Sequence, residues 1–277
     1  MSESDWGTWL PDAIADAEPE TVAVWYLGCN GFVLKGCAGT TIWIDPYVGL
    51  GDPPRTVRMI PVPFDPADVE VADAVLATHE HTDHVHGPSQ APILANTGAT
   101  YYAPDDSLAV ARDEESWTDR WDVEEGQFAE VSEGDTVEIG EFEIGVVEVF
   151  DPDATHPIGY VIEHDAGTVF HGGDTKPSDD FAELGESYDF DLGILAFGSV
   201  GTIPDKETRE PVRTKWYSDE NEIVEAASDL QIDRLVPSHW DMWKGLTADP
   251  TALHDHARSF EYPRRLEIVE IGDRIDL

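Results

Sequence analysis

The stretch Thr78–His86, THEHTDHVH, puts His79, His81, Asp83, His84 and His86 within eight residues, and these include four of the chain's ten histidines. Imidazoles this close repel one another once protonated, and burying them unpaired is costly, so the cluster makes sense chiefly as a set of metal ligands. Imidazole suits zinc, iron, manganese and nickel, while added carboxylates favour harder cations, so the donors permit several divalent metals. A divalent ion brings water toward a pKa of about 7 and polarises carbonyls, which is the chemistry of hydrolysis.

Such a cluster needs strand ends to hold it. Asp73–Thr78 is a short apolar run between turn formers and reads as a buried strand aimed at the cluster. Side chains at i and i+2 project to one side of an extended chain, so His79 and His81 can share one ion. Asp83 and His84 fall past the turn and can face a second. Two later strand ends also carry ligand-type residues. Thr168–Thr175 runs an apolar strand into Gly172-Gly173 and then Asp174, which can bridge two metals. Leu235–Ser238 ends on His239. In the segment 151–157, DPDATHP, His156 is a further ligand candidate and Asp151 competes with it. Asp45, ahead of Pro46, either orients a ligand histidine or starts a turn.

The remaining pattern is strand-rich first and mixed later, as expected of two sheets covered by outer helices. Trp6–Glu18 suggests a short amphipathic helix starting near Pro11. Val22–Leu27, Gly31–Lys35 and Thr41–Asp45 suggest an antiparallel meander, with Gly28 and Gly31 at its first turn and Gly36 and Gly39 at its second. Gly49–Pro66 reads as an irregular loop. Ser218 is the expected N-cap of a helix over Asn221–Leu230, Pro250–Phe260 a further helix, and Leu266–Asp273 a closing hairpin.

With 277 residues, 41% of them hydrophobic, the chain can bury a sizeable core. No run approaches the ~20 apolar residues of a membrane span, and the segment from Met1 to Ala13 has neither the basic nor the apolar part of a secretory signal. Cys29 and Cys37 are too few for a disulfide framework, which fits a cytoplasmic protein. The 58 acidic and 16 basic residues give a net charge of −42, spread along the chain. A tryptophan-rich fold this acidic suits molar salt, where repulsion is screened within ~3 Å, and points to a halophilic source. No basic footprint for nucleic acid exists.

The order His79-x-His81-x-Asp83-His84, then HGGDT at 171–175, then a late strand-end histidine resembles the metallo-β-lactamase superfamily. That resemblance implies an α/β (α+β) fold: an αββα sandwich of two mixed β-sheets flanked by helices, one domain over 1–277. It implies that His79, His81 and His239 hold one ion, and that Asp83, His84 and Asp174 hold the other, with Asp174 bridging. A closer resemblance is to the L-ascorbate-6-phosphate lactonase group. It rests on WGTWL (6–10), WYLGCNGFVLK (25–35), DAVLATHEHTDH (73–84), HGGDT (171–175) and HWDMW (239–243). The chain departs from that group by lacking an insertion around 49–60 and much of the C-terminal extension, and by carrying His156.

The activity implied is a metal-dependent hydrolase that opens a lactone, as in a sugar phosphate, through a metal-activated hydroxide, with one or two zinc or manganese ions. Asp83, beside both ion positions, is the expected proton acceptor and donor. The same fold also serves phosphodiesterases and nucleases, but 277 residues leave no room for their long nucleic-acid-binding domain. The expected partner is a small-molecule substrate, and the resemblance suggests a homo-oligomer. Trp240 and Trp243 are candidate pocket walls, Trp240 and Lys244 candidate substrate contacts, and Lys206, Arg209, Arg213 and Lys215 a basic loop that either binds an anion or pairs on the surface.

Overall fold

The computed structural model describes residues 4–277; the first three residues of the segment read for a secretory signal lie outside them. Strands β1 (Ala23–Gly28), β2 (Gly31–Lys35) and β3 (Thr41–Ile44) form the expected antiparallel meander. The chain then adds β4 (Ala74–Leu76), β5 (Thr100–Ala103) and β6 (Phe128–Glu130), each parallel to its neighbour. A second sheet starts with the antiparallel run β7 (Thr136–Ile139), β8 (Phe142–Glu148), β9 (Ile158–His164) and β10 (Gly167–His171). It continues in parallel with β11 (Phe190–Ala196), and a small separate hairpin of β12 (Gly201–Pro204) and β13 (Pro211–Thr214) follows. The parallel part is completed by β14 (Arg234–Ser238) and β15 (Arg265–Leu266). The last strand, β16 (Arg274–Asp276), returns to the first sheet beside β1. Thus each large sheet has seven strands, and the orders are 16-1-2-3-4-5-6 and 15-14-11-10-9-8-7.

Period-2 alternation explains the layering. Val24, Tyr26, Phe32, Leu34, Ile42 and Ile44 face Ile144, Val146, Tyr160, Leu192 and Val236 of the other sheet, forming the central core. Their neighbours Trp25, Leu27, Val33, Trp43 and Val75 point the other way. They pack under helices α1 (Trp9–Ala15), α2 (Gly87–Thr97), α3 (Asp105–Ala109) and α4 (Trp117–Trp121), through residues such as Leu10, Ile93, Leu108 and Trp117. On the far side, Val161, Phe170, Leu195 and Leu235 meet helices α5 (Phe181–Ser187), α6 (Glu220–Asp229) and α7 (Leu253–Ala257). Both faces of each sheet are covered, which is why the central strands read as unbroken apolar runs. This is the αββα sandwich expected.

Three local expectations need correction. Asp219, not Ser218, caps α6: its carboxylate accepts from Asn221 N and Glu222 N, while Glu222 accepts from Asp219 N. Ser218 is buried, and its carbonyl takes the Gly198 amide. Residues 266–273 are no hairpin, because β15 and β16 belong to different sheets. The helix expected over Pro250–Phe260 is one 3-10 turn followed by the short α7.

Strands β1, β3 and β4 run one way in the first sheet, as do β8, β10 and β14 in the second. Their C-terminal ends therefore gather on one edge of the sandwich, where open α/β sheets commonly bind ligands.

Candidate metal centre

The loop after β4 delivers His79, His81, Asp83 and His84 to that edge; β8 delivers Asp151, β10 Asp174, and β14 His239. Gly173 makes the approach possible. At its φ of +57°, a Cβ would sit 3.0 Å from the Thr78 side chain. Non-glycine residues with left-handed φ also collect here: Cys29 at 59°, Asp45 at 44° and His239 at 65°. Such strain persists where surrounding contacts over-determine the backbone, as at functional sites.

The seven side chains form two groups, the candidate ligand atoms within each lying no more than 4.8 Å apart: His79, His81 and Asp151; and Asp83, His84, Asp174 and His239. In the first, His79 Nε2 lies 3.0 Å from His81 Nδ1, and Asp151 Oδ2 lies 3.7 Å from each. In the second, His239 Nε2 is 3.2 Å from Asp83 Oδ2 and 3.6 Å from Asp174 Oδ1, and His84 Nε2 is 3.3 Å from Asp174 Oδ2.

This differs in two respects from the ligand sets that the resemblance implied. His239 completes the Asp83 group rather than the His79 group: its amide bonds to the Cys29 carbonyl in the β1–β2 turn, and its Nε2 lies beside Asp83 and Asp174. His156 belongs to neither group. Its ring is largely exposed, and Nδ1 bonds to Asp106 Oδ2. Asp151 takes the place, since it lies three residues past the β8 end while His156 lies further along the loop before β9.

The hydrogen-bond network shows that these residues fit cations. Thr78 Oγ1 donates to Asp45 Oδ2 at 2.7 Å, so it accepts the Nδ1 proton of His79 at 3.0 Å. His81 Nε2 donates to the Asp153 carbonyl at 3.1 Å. Those assignments leave His79 Nε2 and His81 Nδ1 as facing lone pairs, an arrangement that a cation relieves. His84 Nδ1 donates to Asp45 at 2.7 Å, and its buried Nε2, with no hydrogen-bond partner, is aimed at Asp174. A hydroxyl behind His79, a backbone carbonyl behind His81 and a carboxylate behind His84 fix tautomer and orientation as metal-ligand histidines require. Asp45 is therefore the orienting partner, buried at 0% exposure and also accepting from Thr78 N at 2.9 Å.

Charge is distributed accordingly. Burial pushes the Asp83 and Asp174 carboxyls up, but the neighbouring imidazoles outweigh it and hold both well below the usual carboxylate range. Burial drives His79 down, as does the nearby His84. Asp151 is pushed up to about 6 by burial and by the charge on Asp174. A carboxyl raised in the folded state contributes stability below its unfolded value near 4, lost as pH rises through about 6. Metal-free native protein should therefore lose stability relative to Asp151→Asn between pH 4 and 6. Thermal melts of the two across that range check it, and a constant difference would contradict it.

Two contacts went unread in the sequence. Asn30, in the β1–β2 turn, donates to Asp174 Oδ1 at 3.5 Å and accepts from Ser238 Oγ at 2.7 Å, tying the two sheets together beneath the site. Tyr217 stacks on His239, centroids 4.2 Å apart. His171 is structural, donating Nε2–H to the Asn30 carbonyl at 3.0 Å. His81, Asp83, Asp151 and Asp174 line a cavity of about 700 Å³ walled by Tyr47, Trp216, Tyr217 and Trp243. Trp243 is thus a wall, as expected. Trp240 packs instead against the α6-side core, and Lys244 is exposed, its backbone amide donating to Val57; neither lines the cavity.

A sequence profile described as the β-lactamase superfamily domain matches residues 40–240, which hold all seven ligand candidates. The chain belongs to that superfamily. A Salmonella gallinarum protein named as a probable L-ascorbate-6-phosphate lactonase is 26% identical over 90% of this chain and 78% of its own length. Among solved structures, a metallo hydrolase of the archaeon Ignicoccus hospitalis aligns with a TM-score of 0.66 at 18% identity, covering 92% of this chain and 97% of that one. An isothiocyanate hydrolase from Delia radicum gut bacteria aligns with a TM-score of 0.65 at 16% identity, covering 92% and 98%. These likenesses agree with the metallo-β-lactamase fold. The superfamily chain described here is a metal-dependent hydrolase, with a His/Asp cluster suited to one or two ions. No helix among the described residues is long and apolar enough to cross a membrane.

Proposed function

We propose that the enzyme opens a lactone ring, or a comparable ester, of a small polar molecule. The observation that carries this reading is the pair of ligand groups sharing one cavity floor, with Asp174 next to both His84 and His239 and Asp83 facing the cavity. The similarity to a protein named as a lactonase supports the bond type. Divalent ions held by the seven side chains, zinc or manganese on donor chemistry, supply Lewis acidity at that floor.

The chain's own residues do the rest. Asp45, Thr78 and the Asp153 carbonyl hold the His84, His79 and His81 rings. The aromatic walls exclude bulk water and seat the substrate. Asp83, kept ionised by its imidazole neighbours, accepts the proton of the attacking water and returns it to the leaving oxygen. Replacing Asp83 by Asn should lower kcat by about 10²–10⁴-fold with little change in melting temperature. The test is a panel of sugar lactones and a generic phosphodiester with the metal-loaded enzyme. Turnover of the phosphodiester alone would overturn the lactone reading, and full turnover by the Asp83→Asn variant would remove the role given to Asp83. The net charge of −42 supports a cytoplasm of high salt as the working environment.

A further inference from the structure

Cations are scarce in this chain, and most are committed. Lys215 lies 2.7 Å from Asp219 and 2.8 Å from Glu222, Arg209 lies 3.9 Å from Asp52, and Arg58 donates to the carbonyls of Tyr47, Gly49, Ile60 and Pro61. Arg55 and Lys206 differ. Both line the cavity above the metal centre, and among the described residues neither side chain forms an ion pair or a hydrogen bond. The Arg55 guanidinium carbon sits 5.3 Å from the Trp216 ring centroid, and its Nε is buried without a partner. Leaving a charged donor unsatisfied in a buried place is costly, while stacking on an aromatic face fixes the plane of the fork.

The carboxylates of the same cavity do not answer these charges. Asp83, Asp151 and Asp174 face the histidines, Asp52 faces Arg209, and Glu80 Oε1 accepts from Thr155 N and Oγ1. Glu80 Oε2 is buried without a partner and Asp153 is exposed and unengaged, but neither carboxylate pairs with Arg55 or Lys206. A chain of net charge −42 gives an anion no long-range attraction, so capture has to come from short-range contacts.

The geometry points to an oxyanion subsite: Arg55, held against Trp216, and Lys206 bind the phosphate or carboxylate group of a small substrate whose reacting carbonyl lies at the metal floor. The inference deepens the hydrolase reading and uses the same cavity. It makes Arg55 and Lys206 specificity-determining residues, since a planar guanidinium engages two oxygens at once and the lysine adds a third contact.

Binding to metal-loaded protein in molar potassium chloride tests this, measured by titration calorimetry with glucose 6-phosphate, gluconate and glucose. None carries a lactone, so the outcome does not depend on which bond the enzyme cleaves. At least one anion should bind saturably, glucose far more weakly, and Arg55→Gln should weaken the anion by about ten- to a hundredfold while leaving glucose unchanged. Lys206→Gln, at an exposed position, should weaken it severalfold. Binding of glucose 6-phosphate alone assigns the subsite to phosphate, and of gluconate alone to carboxylate. Should Arg55→Gln fail to fold, Lys206→Gln and Arg55→Lys carry the test. No saturable anion binding, equal loss for glucose, or unchanged affinity in the variants would overturn the subsite.

Discussion

Asp174→Ala is expected to abolish hydrolysis and to cost the protein bound metal. Its two oxygens face different ligand histidines, 3.3 Å from His84 Nε2 and 3.6 Å from His239 Nε2, and Asn30 donates to it from the first sheet. No other carboxylate in either group approaches both rings this way, so removal leaves His84 Nε2 aimed at empty space. Lewis-acid stabilisation is worth several kcal/mol of barrier, so kcat should fall at least ~10³-fold. Metal content by elemental analysis should drop in parallel. An Asp174→Ala protein with native turnover and full metal content would show that the two groups do not act as one centre.

Asp45→Asn should produce the largest loss of stability of any single change near the site. Asp45 accepts three hydrogen bonds in a fully buried place, from Thr78 N, Thr78 Oγ1 and His84 Nδ1. The amide fits the same space and tolerates the left-handed backbone at φ 44°, but its NH₂ faces donors where the carboxylate faced them with lone pairs. Breaking one side of a buried charge-assisted network costs about 3–5 kcal/mol. Loss of the group that orients His84 should also weaken metal affinity about 10–100-fold. Denaturant unfolding of the metal-free protein reads the first effect and competition with a chelator the second. A stable variant with normal affinity would mean that Thr78 alone positions the rings.

The residues that do the chemistry were largely visible beforehand because metal ligation demands particular side chains at fixed local spacing. His79, His81, Asp83 and His84 share one loop, and Asp174 and His239 follow apolar strands, so strand ends advertised them. The sandwich was visible for a related reason: strands covered on both faces must be apolar throughout, as Trp25–Leu27 and Ile42–Ile44 are.

What local pattern does not encode is which strand ends become neighbours, and that depends on sheet order. The placement of β14 beside β11, and of the β1–β2 turn against it, put His239 with Asp83 instead of His79 and brought Asn30 under Asp174, while the pairing of β3 with β4 settled the orienting role of Asp45. Likewise DPDATHP offers two ligands of equal chemical merit. Only the direction in which β8 ends selects Asp151 and sends His156 to Asp106. The cavity wall was hidden for the same reason: Arg55 and Trp216 lie 161 residues apart in sequence and carry no shared motif, and only the packing of two irregular segments over the sheet edge stacks one on the other.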